Sequence, residues 1–327
     1  MKIFSFPFLV IDEIMKQLEP VELIALSLCS KNAHAFMKTF AKTSQDLQIE
    51  HYYHDDYIIT YPGHSLMVVM SNQSRFRGLS DLKTIHGLNY CFNQTGRLYT
   101  VWKDVDQGCR ESANYICDLF KIPVATILVR RESDLWLLDF VRQRQERKLR
   151  NVNVCTLDVS MSAEGYSSIM SFNATERLEV TPMPPGKYRF DGKLPAAKTL
   201  IIQWGHWITR EHLLGLESSF AQLSYIKLTR SDIRALLRVW LNGGLPNLKY
   251  LDIYGRPLDN QIYNGIRDRM EPVGKEISYK WDKFKSAVKF NSNAFHIRRD
   301  DGVVATVRID GRKFTMAVWP DINGNRV

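Results

Sequence analysis

No apolar run in this chain approaches the roughly 18 residues that a membrane-spanning helix needs, so none is expected. The apolar start, Met1-Lys2-Ile3-Phe4-Ser5-Phe6-Pro7, meets Asp12 and Glu13 before a signal-peptide core could form, and is read as folded protein. Cysteine is scarce. Cys29, Cys91, Cys109, Cys117 and Cys155 are odd in number, irregularly spaced and without a CxxC pair. A disulfide framework or zinc module is therefore not expected, and a reducing compartment, cytoplasm or nucleus, fits best. The glycosylation-like triplets at Asn72, Asn93 and Asn173 are then chance matches to a short pattern. Catalytic signatures are also missing. There is no GxxxxGKS or GxxxxGKT loop, no GxGxxG after a strand, no GxSxG elbow and no HExxH. No cofactor, metal or catalytic residue is expected, and the chain is read as a non-enzyme.

What is present suits a folded globular chain. Hydrophobic residues make up 45% and charged residues 24% of 327 residues, with no low-complexity tract. At about 150 residues per domain, two domains are the natural expectation. The net charge is +9, of which the first 45 residues carry only +1 (five Lys against four Asp and Glu). The excess is thinly spread. The densest cluster, Arg142-Gln143-Arg144-Gln145-Glu146-Arg147-Lys148-Leu149-Arg150, reads as the solvated end of a helix. No nucleic-acid motif accompanies it, so a nucleic-acid surface is a minor alternative.

The N-terminal block has helical period. Val10, Ile14, Met15 and Leu18 fall on one stripe, and Pro20 stops that helix and can start the next. Leu23, Ile24, Leu26 and Leu28 predict a second helix. Ser30 is a candidate N-cap for a third that carries Ala33, Phe36, Met37 and Phe40. Three short helices make too small a core alone and are expected to lean on a partner or on the rest of the chain.

From about residue 55, strands alternate with amphipathic helices. Strands are predicted at Ala125–Arg130, Val152–Val159, Thr199–Trp204, Leu223–Leu228 and Leu248–Ile253. Helices are predicted at Arg110–Phe120, Leu135–Gln145, Arg210–Leu216 and Asp232–Leu241. The last has Ile233, Leu236, Leu237, Trp240 and Leu241 on one face, a capping box from Thr229 and Asp232, and a stop at Asn242-Gly243-Gly244. The cadence predicts an α+β or α/β chain: a leucine-rich-repeat-like α/β array without the usual asparagine ladder, or alternatively a compact α/β domain. At the C-terminus, Phe295–Arg299, Val303–Ile309 and Lys313–Trp319, separated by Asp301-Gly302 and Asp310-Gly311, predict an antiparallel meander within about 290–320. The Pro-rich stretch Thr181–Gly186 is a loop and the best internal break.

Two places invite chemistry. His51-Tyr52-Tyr53-His54-Asp55-Asp56 is the only dense set of possible metal ligands, and its plainer reading is a polar edge beside tyrosines. Trp204-Gly205-His206-Trp207 could form a ligand-facing platform at a strand end, or could simply pack strand against helix. Cys29, beside Leu28 in an apolar helix, reads as core or interface rather than nucleophile.

Phe6-Pro7, Glu13-Ile14, Leu18 and Glu19-Pro20, followed by Leu23-Ile24-Ala25-Leu26-Ser27-Leu28-Cys29-Ser30-Lys31, resemble the ordered core of an F-box. One departure is Ala33, where that family often has tryptophan. Independently, Leu200 to Ile253 resembles the F-box-associated domain expanded in nematodes. The resemblance rests on Trp204-Gly205-x-Trp207-x-Thr209, His212-Leu213-Leu214, Leu228-Thr229, Asp232-Ile233, Trp240-x-Asn242-Gly243-Gly244-Leu245-Pro246-x-Leu248 and Tyr250-Leu251-Asp252-Ile253. The resemblance implies a small three-helix F-box over 1–45 and a substrate-recognition region over 46–327, with the associated motif at about 195–260. It implies docking on the Skp-type adaptor, and through it a cullin, by Pro7, Val10, Ile14, Leu18, Pro20, Leu23, Leu26, Leu28, Ser30 and Lys31. A target protein would be held by the C-terminal region, with Trp204, His206 and Trp207 as candidate contacts. A scaffold that binds the adaptor without degrading anything is the alternative.

Overall fold

The computed structural model describes residues 6–40, 46–51, 56–61, 64–70, 83–85, 88–92, 98–156, 160–280 and 287–319. The chain divides into two compact units, Met1–Val152 and Asn153–Val327. It is a mixed α/β protein: a helical N-terminal region followed by a larger region that is mostly sheet.

The first unit opens with α1 (Phe8–Gln17), α2 (Pro20–Ser27) and α3 (Lys31–Phe40). The six strands that follow are β1 (Leu47–His51), β2 (Tyr57–Tyr61), β3 (His64–Met70), β4 (Lys83–Ile85), β5 (Leu88–Phe92) and β6 (Leu98–Trp102). Then come α4 (Val105–Phe120), β7 (Val124–Val129) and α5 (Trp136–Arg144). The strands lie in the order β7-β1-β2-β3-β6-β5-β4, with β1/β7 and β3/β6 parallel and the other neighbours antiparallel. Helix α4 starts five positions before the expected Arg110, because Asp104 caps it by accepting the Gln107 N–H at 3.0 Å. Its buried face, with Cys109, Ala113, Ile116 and Cys117, lies on the sheet. Beside it, Tyr57 donates its hydroxyl to Asp106 at 2.7 Å, and burial pushes its pKa up, so the phenol stays protonated. The basic cluster after α5 is committed internally: Arg150 and Arg147 pair with Asp46, and Arg144 binds Asn114.

In the second unit, β8 (Asn151–Val154), in which one unit ends and the other begins, precedes α6 (Ala163–Met170) and β9 (Arg177–Val180). Then follow β10 (Thr199–Ile202), α7 (Arg210–Leu214), β11 (Phe220–Leu223), α8 (Arg230–Leu241) and β12 (Tyr250–Tyr254). Strands β9 to β12 are parallel and adjacent in chain order. Beyond β12 the ladder turns antiparallel through β13 (Met270–Pro272), β16 (Ala294–Arg298), β17 (Val304–Asp310) and β18 (Lys313–Trp319), in the order β12-β18-β17-β16-β13. A separate hairpin, β14 (Ile277–Tyr279) with β15 (Val288–Phe290), brings Tyr279 and Phe290 into a core with Phe220, Tyr250 and Trp319. The Trp319 indole donates to Thr306 at 2.9 Å, which satisfies its one polar atom inside that core.

The C-terminal meander and the helix at Asp232–Leu241 stand where the sequence placed them, with α8 two residues longer at its start. Other expectations need correction. The strand expected at Leu223–Leu228 is Phe220–Leu223, and Ser224–Leu228 is a loop in which Tyr225 takes φ +52°. Helix α6 and strand β9 lie in an interval for which neither was expected. The Thr181–Gly186 loop falls inside the second unit rather than between the units. The possible metal cluster at His51–Asp56 lies almost wholly outside the described residues; Asp56 is buried. No helix among the described residues is long and apolar enough to cross a membrane.

Candidate partner-binding surfaces

The N-terminal helices owe their form to local capping. Pro20 occupies the first turn of α2, where its missing N–H costs nothing. Glu22 closes the same turn by accepting the Glu19 N–H at 2.7 Å. Ser30 caps α3 by accepting the Ala33 N–H at 3.0 Å. The small core joins Ile11 and Met15 of α1 with Leu23, Ile24 and Leu28, and with Ala33 and Met37 of α3. Ala33 itself is 4% exposed, so a tryptophan there would have no room without repacking.

Of the ten residues expected at the adaptor interface, Leu23 and Leu28 are interior. Ile14, Leu18, Pro20 and Leu26 are half-buried, and Pro7, Val10, Ser30 and Lys31 are exposed. The buried side of α1 is Ile11 and Met15, rotated from the expected stripe of Val10, Ile14, Met15 and Leu18, of which only Met15 is interior. That rotation puts Phe8 (65% exposed) and Leu9 (77%) on the surface beside Phe6 and Val10. Sequence reasoning did not name Phe8 and Leu9 as contacts, because neither belongs to the periodic stripe of Val10, Ile14, Met15 and Leu18. Four adjacent exposed apolar side chains form a patch that a soluble surface rarely leaves open.

The base of this helical region is fastened to α4. Ser27 donates its hydroxyl proton to the Ile24 carbonyl at 2.7 Å, so across the 2.6 Å contact with Tyr115 it is the tyrosine that donates. Lys38 lies 2.6 Å from Asp118, and His34 Nε2 is 3.6 Å from the same carboxylate. The Lys38 ammonium holds the Asp118 carboxyl below its ordinary range, with His34 contributing less. The His34 ring also packs on Tyr115, with centroids 4.8 Å apart.

In the second unit the three residues expected to contact a target separate. Trp207 is interior, at 6% exposure. Its ring meets Tyr166 at 5.9 Å and Tyr188 at 5.5 Å, both edge-on. It is therefore a core residue and not a surface contact. His206 is half-buried and lies 3.3 Å from the Pro185 carbonyl. Trp204 is half-buried and stacks on Tyr225 at 4.2 Å between centroids, 16° from parallel. Tyr225 in turn meets Tyr254 edge-on at 5.6 Å. Tyr225 and Tyr254 had not been singled out: the first was read as part of a strand at Leu223–Leu228, and the second lies just past the expected strand end at Ile253.

A cleft of about 380 Å³ lies between Phe190–Leu194 and Thr209–Gly215. His212 lines it with both nitrogens in use: Nδ1 accepts the Thr209 N–H at 3.1 Å, which leaves the ring proton on Nε2, 2.9 Å from the Gly192 carbonyl. The imidazole thus completes the capping of α7 and offers no spare lone pair to a substrate. Among the described residues, no group of three or more His, Cys, Asp or Glu side chains could hold a metal ion.

The family signature around α8 has a direct physical reading. Thr229 and Asp232 close its first turn through a 2.7 Å bond. Trp240 is 1% exposed, with the Arg299 guanidinium 5.3 Å from its ring centroid. Gly243 takes φ +85° where the chain leaves the helix, and the Gly243 and Gly244 N–H groups bond the Trp240 and Val239 carbonyls. Asp252, 5% exposed, accepts from Tyr250 at 3.3 Å and pairs with Lys313 at 2.9 Å.

Comparison with known proteins agrees with this reading. The chain is 23% identical to the Skn-1 dependent zygotic transcript 15 protein of Caenorhabditis elegans, over 95% of each chain. It is 22% identical to the uncharacterized protein F59B2.9 of the same organism, over 94% of this chain and 75% of that one. No solved structure matches the chain. The F-box domain model matches residues 3–44 and the F-box associated model residues 194–253, so the chain carries an F-box followed by an F-box-associated domain.

Proposed function

We propose that this protein is the substrate-recognition adaptor of a cullin–RING ubiquitin ligase, docking a Skp-type adaptor through its F-box and a target protein through its second unit. The observation that carries the reading is the F-box over residues 3–44 with Phe6, Phe8, Leu9 and Val10 exposed on one stretch of it. Such a patch, with half-buried Ile14, Leu18 and Pro20 behind it, suits an apolar interface with a few anchoring side chains. The physics of the role is proximity: a tethered target presents its lysines to a ubiquitin-charged enzyme at high effective concentration. The chain itself needs no catalytic group for this.

The parallel strands β9 to β12, adjacent in chain order, support a leucine-rich-repeat-like arrangement in which loops at one strand end meet the target. Co-expression of the full chain with the Skp-type adaptor of its own organism tests the first half of the proposal. A stoichiometric complex on gel filtration is expected, and separate elution of the two proteins overturns it. A scaffold reading differs in one outcome: the captured target then acquires no ubiquitin in a reconstituted ligase.

A further inference from the structure

Among the described residues, the large hydrophobic side chains that stand exposed fall in two places only. One is the Phe6–Val10 patch of the F-box. The other is Tyr225 (46%) and Tyr254 (37%), which continue the stack begun by Trp204. The three rings leave the C-terminal ends of β10, β11 and β12, one ring per strand, and so form a row across three successive parallel strands. An exposed aromatic row needs an explanation that an isolated surface tyrosine does not.

The row is held by a stiff backbone. The Gly205 N–H bonds the Ser224 carbonyl at 2.8 Å, the Ile226 N–H bonds the Tyr254 carbonyl at 3.2 Å, and the Gly255 N–H bonds the Arg312 carbonyl at 3.0 Å. A Cβ on Gly255 would collide with the Ile226 carbonyl, and one on Gly205 would press Ile208 and Ile226, so these loops approach as closely as glycine permits. Tyr225 is held at φ +52°, a left-handed conformation that costs a non-glycine residue energy and that the neighbouring bonds maintain. The rings are therefore presented with little left to order on binding.

The segments that carry the rings and pair with them are basic. Segments 203–209, 224–229, 254–258 and 311–313 contain Lys227, Arg256, Arg312 and Lys313, and no aspartate or glutamate. Lys313 is occupied by Asp252, but Lys227, Arg256 and Arg312 have no ion-pair partner among the described residues. Of the carboxylates that flank these segments, Asp232 is engaged in the α8 cap, Asp252 with Lys313 and Asp259 with Arg230 at 3.0 Å, which leaves Glu211 and Asp310 against the three cations.

We infer that the Trp204–Tyr225–Tyr254 row, with Lys227, Arg256 and Arg312 beside it, is the docking surface for an extended acidic segment of a partner protein. The inference rests on the target-binding reading above and names the chemistry of the target. Single-stranded nucleic acid also uses aromatic rings and cations, but it needs open ring faces for its bases. Here Trp204 and Tyr225 cover one face of each other and Tyr254 stands at right angles to Tyr225, so the rings offer no run of parallel open faces for successive bases, while ring edges and two tyrosine hydroxyls can meet a peptide backbone and carboxylates.

The test is fluorescence anisotropy with the purified full chain and three labelled probes: a dodecapeptide of repeated Asp-Leu-Glu-Pro, its counterpart with lysine at the acidic positions, and a thymidylate dodecamer. Two double variants accompany the wild type, Lys227→Glu with Arg256→Glu and Trp204→Ser with Tyr254→Ser. Circular dichroism and co-purification with the Skp-type adaptor are read on each. The acidic peptide is expected to bind the wild type in preference to the other probes, and to lose about tenfold or more in affinity in each variant while adaptor binding is unchanged. Absence of acidic-peptide binding, binding equal in wild type and folded variants, or tighter binding of the thymidylate each overturns the inference. Loss of adaptor binding by the wild type alongside intact peptide binding would instead strike the ligase reading and leave this surface standing.

Discussion

The Tyr115 hydroxyl donates to the Ser27 hydroxyl across 2.6 Å, and this bond ties the second F-box helix to the long helix of the following sheet layer. The two residues are 88 positions apart. With Lys38 and His34 gathered on Asp118, the contact makes the F-box part of a larger folded unit instead of a freely swinging module. The F-box is thereby held in place relative to the rest of the first unit.

Removing the Tyr115 hydroxyl should therefore destabilise the protein while leaving the ring in place. Tyr115→Phe is expected to cost about 1 kcal/mol, the net worth of one part-buried hydrogen bond. Urea unfolding followed by circular dichroism measures it; unchanged stability would show that the bond contributes nothing.

Asp118 gives a pH signature. Its folded-state pKa lies below the ordinary 3.8, chiefly because of Lys38, so the stabilisation is complete above the unfolded value and is lost as the pH falls through the folded one. Compared with Asp118→Asn, the wild type should keep an advantage from neutral pH down to the carboxylate range, and that advantage should fade below 3.8. The pair is largely exposed, so the difference will be small and will shrink in salt. An advantage that grows in strong acid would contradict the assignment.

Helix α8 is expected to be sensitive at its ends and in its middle. Asp232→Ala removes the acceptor of the Thr229 N–H and should cost about 1 kcal/mol. Gly243→Ala forces a side chain into φ +85° and should cost about the same. Trp240→Ala empties a fully buried site and should cost about 3–5 kcal/mol, enough to lower the yield of folded protein. Thermal unfolding should show similar small losses for Asp232→Ala and Gly243→Ala, with Trp240→Ala far the worst.

Leu23→Ala should act on the F-box as a fold and not merely on its surface. Leu23 is 6% exposed, so its truncation is expected to cost about 2–5 kcal/mol and to weaken adaptor binding through loss of helical structure. Adaptor binding lost with the helical signal and unfolding midpoint unchanged would place Leu23 at the interface instead.

The legible parts of the fold were those encoded by local chemistry. Helix α8 has a full apolar stripe, a capping box at Thr229 and Asp232, and a glycine stop, three signals that agree. The C-terminal strands alternate around Asp-Gly steps, and Ser30 caps α3 as its residue type suggests. What was not legible depended on distance or on backbone strain. The run Leu223–Leu228 alternates like a strand, yet Tyr225 turns left-handed and Ile226 and Leu228 fill the core from a loop. Helix α6 and strand β9 are only 8 and 4 residues long, too short for periodicity to declare itself. Trp204 and Trp207 looked equivalent in sequence, and only the ring of Tyr166 and its neighbours against Trp207 tells which one faces inward. The exposed Phe8 and Leu9 were hidden for a related reason, since an apolar residue meant for a partner carries the same composition as one meant for the core.

The central claim is that the exposed N-terminal patch is where the F-box meets its adaptor. Isothermal titration of the Skp-type adaptor into the full chain, wild type and Phe8→Asp with Leu9→Asp, tests it most directly. Both side chains are mostly exposed, so the variant should remain folded. The account predicts one-to-one binding by the wild type and a loss of about a hundredfold or more in the variant. Equal binding by the two proteins, or none by the folded wild type, would contradict it.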